Sequence, residues 1–388
     1  MNQEHTIGID IGSNSIKVVV AESHGAGSVP KILHATESSA RGFRHGYVTD
    51  IEKASQSLSR ALAKAEKEYK QKITRARFSI GGIGLCSQYV RTAIDIESKH
   101  NEISERHIDE VLQKAEDLFI AKYPNKKILH IVPVKYRVNE RDVLGNPIGM
   151  YGNAIEVKVI FITILEHHYE ALVHIINHNK IGILDIIASP IADAAASTTE
   201  KQKIQGCVLA NIGAETTSIA TFENGIITSL DVINIGSNDV TNDIALGLQI
   251  SLEEAEQVKV NDKHDHPKRL VDDIMSARVA DILELLGKHL EKIKKNRLLP
   301  AGIIFTGGGA PIQNLTDYAR TELKIPASRV LLQMTSKKTR RTVTIPESFS
   351  VAYGLCITQH GHQRFTRPTF SFTGITHFLK NIVQQIMP

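Results

Sequence analysis

The chain has 388 residues, 42% of them apolar and 23% charged, with a formal net charge of +4. That length suits two to four domains with cores of their own. The near balance of charge, the absence of Trp and an aromatic content of 5% argue against a nucleic-acid platform. Cys86, Cys207 and Cys356 form no Cys-x-x-Cys motif and fit buried thiols in a reducing compartment. No segment reads as a signal peptide and no apolar run approaches the ~20 residues that span a bilayer, so a cytoplasmic location is expected.

In chain order, Ile7 to Val20 reads as strand, tight turn, strand, with β-branched residues on both sides of Asp10, Gly12, Ser13 and Asn14. Gly12 lets backbone approach a ligand closely, and the N–H groups and hydroxyls of a Gly-Ser-Asn-Ser turn can ring a phosphate. Asp10, at the strand end, is placed to hold a hydrated divalent cation. Alone, the pattern fits a hairpin that binds nothing equally well. Lys31 to Ala35 is a further strand. Asp50 caps a helix over Ile51 to Lys70, whose stripe is Ile51, Ala54, Leu58, Ala61, Leu62 and Ala65. Arg77 to Ile80 is a strand leading into Gly81-Gly82. From 83 to about 161 the texture changes to a small α+β insert. Its strands are Gln88 to Ile96, Ile128 to Arg137 and Ala154 to Thr163, around a helix from Glu105 to Ala121. Ser104 opens that helix with His107 three residues on, half a capping box.

Tyr169 to His178 reads as a helix, Gly182 to Ala188 as a strand, and Pro190 to Ser197 as an alanine-rich helix whose small side chains permit a close crossing. Val208 to Ala220 then repeats strand, glycine turn, strand, through Asn211-Ile212-Gly213-Ala214-Glu215-Thr216-Thr217. Asn224-Gly225 is a hairpin turn. Helices follow at Asp239 to Leu248, Leu252 to Val260 and Leu270 to Lys295, broken by the polar stretch Lys263 to Lys268. Ile303 to Pro311 is an apolar strand entering Gly307-Gly308-Gly309, whose backbone can lie flat against a base or ribose. The two hairpins and the triple glycine, in this order and spacing, resemble the phosphate-1, phosphate-2 and adenosine segments of the actin-like ATPase superfamily. The resemblance implies two RNase H-like halves, an α/β class, with ATP and Mg2+ between them. No Gly-x-x-x-x-Gly-Lys-Ser/Thr segment, and hence no P-loop, is present.

Three further stretches narrow the resemblance. Arg41-Gly42 with Gly46-x-Val48-x-Asp50, Leu129-His130-Ile131-Val132-Pro133-x-x-Tyr136, and Asn146-Pro147-Ile148-Gly149-Met150-x-Gly152 resemble the bacterial cell-division family FtsA. The likeness covers residues 7 to 388. It implies subdomain 1A over 1–82 and 162–190, a 1C insert over 83–161, IIA over 191–239 and 300–359 with a connector helix at Ser348 to Ile357, and IIB over 240–299. It carries Asp10, Gly12, Ser13, Asn14 and Lys17 to the first phosphate loop, with Asp10 toward the metal. Asn211, Gly213, Ala214, Glu215, Thr216 and Thr217 go to the second, and Gly307, Gly308 and Gly309 to the adenosine. Glu256 and Lys259, three apart on one helical face, take the ribose position. Related ATPases usually place an acid where Asn211 stands and Glu or Gln near Ser189. Both differences weaken water activation, so slow or negligible hydrolysis is expected and no catalytic residue is assigned.

Residues 360–374 read as a mildly basic linker. From 375 to 388, Ile375, Phe378, Leu379, Ile382, Val383 and Ile386 fall on one helical stripe, with polar residues opposite. That amphipathic C-terminal helix is too short to span a membrane and suits lying in its interface. In the family such a tail anchors the protein to the inner face of the plasma membrane at the division site. The C-terminal peptide of the tubulin-like protein FtsZ is received by IIA and IIB, for which Arg278 and Lys292 are the candidates here. The chain also self-associates into filaments in the family, and other division proteins are candidate partners of the insert. Lys337, Lys338, Arg340 and Arg341 read as a surface loop. Asp262, His264, Asp265 and His266 lack the spacing of a metal site. Two rivals remain: a PilM-type pilus-assembly module, which the tail and the 130–152 segment disfavour, and a superfamily small-molecule kinase, which lacks a poised base.

Overall fold

The computed structural model describes residues 4–23, 29–97, 101–261, 265–295, 299–335 and 342–358. The described chain divides into two compact units, one built from the residues up to Gly84 with Glu170–Ile357, the other from Leu85–Tyr169.

The larger unit contains the same five-stranded sheet twice. In the first copy, Glu4–Ile11, Ser15–Ser23 and Lys31–Ser39 form an antiparallel meander, and Arg75–Ile80 and Gly182–Ala188 add in parallel beyond its first strand. In the second copy, Cys207–Ile212, Thr217–Glu223 and Ile226–Ile233 form the meander, with Ile303–Thr306 and Ala327–Arg329 parallel beyond it. Each parallel join needs a crossover. Helix Ile51–Tyr69 lies in the first of these, opened by Asp50, whose carboxylate accepts from Lys53 N–H at 3.0 Å. Its buried stripe holds Ala54, Leu58, Ala61, Leu62 and Ala65, but Ile51, expected there, is 49% exposed at the helix's first position. In the second copy the crossover holds helices Ser237–Leu248, Leu252–Val260 and Lys268–Lys292. The last starts directly after Pro267, two residues earlier than the apolar pattern predicts, because proline tolerates a helix start. Its Val279, Ile282, Leu283, Leu286 and Leu290 belong to the same core as Val208, Ala210 and Phe305. Asn224 and Gly225 both take positive φ (51° and 77°), the requirement of a tight hairpin turn.

Helices Ser189–Ser197 and Ser350–Ile357 cross backbone to backbone. A Cβ on Gly354 would stand 1.7 Å from the Ala192 carbonyl oxygen, so the small residues expected at this crossing are sterically required.

The smaller unit is a four-stranded antiparallel sheet in the order Cys86–Asp95, Ala154–Leu165, Lys126–Val138, Arg141–Val143. The predicted edge at 161 falls inside its second strand. Helix Glu105–Lys122 buries Ile108, Val111, Ala115 and Phe119 in one core with Ile94, Ile155, Val157, Val159 and Phe161 of the sheet. The half capping box is completed: His107 Nδ1 accepts from Ser104 N–H at 3.1 Å, as a glutamate would. No helix among the described residues is long and apolar enough to cross a membrane. The predicted tail, with Ile375, Phe378, Leu379, Ile382, Val383 and Ile386, lies outside the described residues, as do Lys337, Lys338, Arg340, Arg341, Asp262 and His264.

Candidate nucleotide site

The two hairpin tips close in the same way. Gly12 N–H donates to Ser15 O at 3.1 Å and Gly213 N–H to Thr216 O at 2.9 Å. A Cβ on either glycine would meet that carbonyl oxygen, at 3.0 and 2.9 Å, so close approach and not positive φ demands glycine here. Asp10 stands opposite Lys17 across the first hairpin. Ser79 Oγ donates to Asp10 Oδ1 at 2.7 Å and accepts from Ile11 N–H at 3.2 Å. Burial raises the Asp10 carboxyl above its ordinary range, with Lys17 pulling the other way. Lys17 Nζ donates to Ser15 Oγ at 2.6 Å and lies 3.4 Å from Glu37.

The triple glycine divides into two kinds. Gly307 has φ of 85°, and a Cβ on it would meet Asn211 Oδ1 and Ile212 O at 2.5 Å; one on Gly309 would meet Ile212 Cγ2 at 2.4 Å. Both are required by packing against the second hairpin, to which Gly309 N–H donates at Ile212 O, 2.9 Å. Gly308 is exposed, and a Cβ there would meet nothing within 4 Å. A glycine that no protein atom demands, flanked by two that are demanded, is a backbone surface kept flat toward solvent. That is the fit an adenosine group needs.

Between these segments lies a residue the sequence did not single out. Asp193, fully buried on helix Ser189–Ser197, accepts from Ser197 Oγ, Asn211 Nδ2 and Thr306 Oγ1, each at 2.6 Å. Burial pushes its carboxyl up against the pull of these three donors. It ties the connector helix to the second hairpin and to the strand before the glycines. The available signal was one acid in an alanine-rich helix with Ser four residues on. Asn211 therefore spends its amide N–H on Asp193. Ser189 Oγ likewise donates to Ile80 O at 3.1 Å.

The second loop is further tied down. Ser237 and Asn238 N–H donate to Gly213 O and Ala214 O at 2.9 and 2.8 Å, and Thr217 Oγ1 donates inward to Ile235 O at 2.8 Å. Glu215 points at a small hairpin, Phe43–Arg44 and Tyr47–Val48: its carboxylate lies 2.8 Å from Arg44 Nε and accepts from His45 N–H at 2.5 Å. The same hairpin reaches the first tip, Gly46 N–H donating to Ser13 Oγ at 2.9 Å. Glu256 and Lys259, expected to reach a ribose, are paired with each other at 2.7 Å, and Thr241 Oγ1 bridges both, donating to Glu256 at 2.6 Å and accepting from Lys259 at 2.8 Å.

The two candidate partner residues differ. Arg278 is gripped bidentately by Asp243, at 2.6 and 2.9 Å, which holds its guanidinium above its ordinary pKa. Lys292 is 76% exposed, 3.9 Å from Asp231.

A family model described as "Cell division protein FtsA" matches residues 208–354, and one described as "SHS2 domain inserted in FTSA" matches 82–163. Among curated relatives, the cell division protein FtsA of Bacillus subtilis is 27% identical, over 83% of this chain and 78% of that protein. The FtsA of Borreliella burgdorferi is 26% identical, over 95% and 94%. Of solved structures, a PilM–PilN type IV pilus biogenesis complex superposes with a TM-score of 0.65 at 16% identity, covering 91% of this chain and 97% of that one. MreB5 of Spiroplasma citri bound to AMPPNP gives 0.54 at 14% identity, covering 92% and 96%. These two carry the fold alone, and it is actin-like. Together the two family models span more than half of the chain, and the curated relatives they agree with come from several bacteria: the chain belongs to the FtsA family of cell-division proteins.

Proposed function

We propose that the protein binds ATP with Mg2+ in this site, turns it over slowly or not at all, self-associates, and tethers FtsZ to the cytoplasmic face of the plasma membrane at the division site. The observation that carries nucleotide binding is the pair of hairpin tips closed alike by glycine, the second of them packed against a glycine run whose Gly308 no protein atom crowds. Gly12, Ser13, Asn14 and Lys17, and Gly213 to Thr217, would hold the phosphates. Asp10 would hold the hydrated metal, Gly307 to Gly309 the adenosine, and Glu256 with Lys259 the ribose. Bound magnesium neutralises phosphate charge. Slow turnover is supported by the hydrogen bonding of two residues. Asn211 holds Asp193 with one of its amide N–H groups and Ser189 holds Ile80 O, so neither of the positions at which related ATPases act on water carries a carboxylate. Phosphate release as fast as in vigorous actin-like ATPases would refute this part.

For the FtsZ peptide, the exposure of Lys292 supports it as a contact, whereas Arg278 would have to leave Asp243 or act through it. The membrane role rests on the sequence pattern from Ile375 to Ile386. The test is co-sedimentation with liposomes of the full chain and of a version ending at Arg367, each with ATP and a peptide of the FtsZ tail. The tether reading expects the full chain to sediment with peptide and the truncation to stay in solution yet bind it. If both stay in solution and neither holds the peptide, the tether reading fails and the pilus-assembly type of module, with which the fold is shared, takes its place.

A further inference from the structure

One face of the four-stranded sheet in the unit Leu85–Tyr169 packs on helix Glu105–Lys122. On the other face, strand register sets three cations side by side. Lys158 pairs directly with Arg91 on one neighbouring strand and with Lys135 on the other. Like charges directly opposite across a sheet destabilise it, so this row is a cost the fold carries. The next row softens it only in part: Glu156 stands opposite Arg137, and Arg137 opposite Asp142. Glu156 lies 3.5 Å from Arg91 and 3.6 Å from Arg137, and Asp142 lies 2.6 Å from Lys135 and 3.3 Å from Arg137. Four cations thus face two carboxylates. Among the described residues no carboxylate pairs with Lys158, whose ammonium sits 4.0 Å from the ring centroid of Tyr89. Burial, Arg91 and Lys135 all work to lower its pKa. These six charged side chains line a cavity of about 280 Å³, and Tyr89 beside it is 46% exposed.

We propose that this sheet face is a docking site for an acidic peptide segment of a partner protein, with carboxylates over Arg91, Lys158 and Lys135 and an apolar side chain against Tyr89. Charge complementarity selects that occupant. Neighbouring strands are about 4.8 Å apart, so the three cations span roughly 10 Å, between the ~7 Å that separates carboxylates two residues apart and the ~13 Å for four residues apart in one extended segment, a difference their side chains can take up. A continuous anionic membrane surface fits less well, because Asp142 and Glu156 stand within the cluster and would meet it with like charge. The inference does not depend on nucleotide binding.

The test uses the full chain and a fluorescein-labelled peptide, Glu-Leu-Asp-Leu-Glu-Ser repeated twice, followed by anisotropy. Binding should weaken steeply as salt shortens the screening length below about 10 Å. Lys158→Glu should lower affinity about tenfold or more, a loss of ~1.4 kcal/mol. Lys201→Glu, at an exposed position of the other unit, should leave affinity unchanged; a loss there as large as that of Lys158→Glu would make the binding a general charge effect and overturn the proposal. Lys158→Met keeps the stem and removes the repulsion, so it should weaken binding and raise the melting temperature. A lowered melting temperature would overturn the argument that the row is a carried cost. No binding by the native chain at low salt would overturn the proposal outright. So would Lys158-dependent capture of the Arg367-truncated chain by phosphatidylglycerol vesicles in preference to the peptide.

Discussion

Asp193 shows how much one side chain can organise. Three donors from three segments converge on it, and two of them, Ser197 and Thr306, are buried, so Asp193→Ala strands those two at about 1–3 kcal/mol each, offset in part by removing a carboxylate that burial disfavours. The expected outcome is a net loss of about 2–4 kcal/mol in urea unfolding, with weaker retention of fluorescent ATP. The glycines give a cleaner separation of fold from site. Gly309→Ala must push a Cβ into Ile212 and should destabilise the chain, whereas Gly308→Ala meets no protein atom and should leave stability within about 0.5 kcal/mol. If Gly308 lies against the adenosine, its variant nonetheless loses ATP affinity; unchanged affinity would remove it from the site. In the insert, two titrating groups oppose each other. Asp109 is pushed up to about 6 by burial and by Glu105, so the folded state holds its proton more tightly and stability falls as pH rises from about 4 to 6. His130 is pushed down to about 4 by burial, so stability rises with pH from about 4 to 6.5. Asp109→Asn should therefore stabilise the insert near neutrality, by on the order of 1 kcal/mol after allowing for solvent screening. It should also unmask a rise in stability with pH across that window, read by denaturant midpoints at each pH.

At the scale of elements, local pattern and tertiary pairing part company. The two hairpins, the helix after Asp50, and the small-residue connectors were legible because each rests on turn chemistry or periodicity within a few residues. The 43–48 hairpin's grip on Glu215 was not, since Arg44 and His45 lie about 170 residues earlier in the chain. Nor was the Asp193–Thr306 bond, which joins positions 113 apart. No propensity encodes such pairs. Their consequence is that Glu215, expected beside the phosphates, is occupied by a clip that touches both hairpin tips. Glu215→Ala removes the clip's anchor on the second tip. Because Arg44 is 66% exposed, the stability change should stay below about 1 kcal/mol, while release of a fluorescent nucleotide in stopped flow should quicken severalfold. An unchanged release rate would reduce the clip to a surface contact. The connector crossing behaves oppositely. Gly354→Ala puts a methyl against a backbone carbonyl that no rotamer change can move, and overpacking of that kind costs about 1–3 kcal/mol. Its effect should appear as a lowered melting temperature.

The whole molecule combines a sheet made twice with an insert that keeps a core of its own. The core around Ile108, Phe119, Val157 and Phe161 is separate from that around Val208, Leu286 and Phe305. Separate cores open with separate free energies, because cooperativity follows shared buried surface. A ligand that binds only the folded form adds RT ln(1 + [L]/Kd), about 2.7 kcal/mol at a hundredfold excess over Kd. If ATP with Mg2+ sits between the glycine-closed tips, that increment should appear as slowed hydrogen exchange of amides in Cys207–Ile212, Ile303–Thr306 and Ser189–Ser197. Amides in Ala154–Leu165 and Glu105–Lys122 should exchange as before. Equal protection in both units would mean that they unfold as one cooperative body, or that nucleotide contacts the insert. Protection of the insert alone would take the nucleotide away from the duplicated sheets.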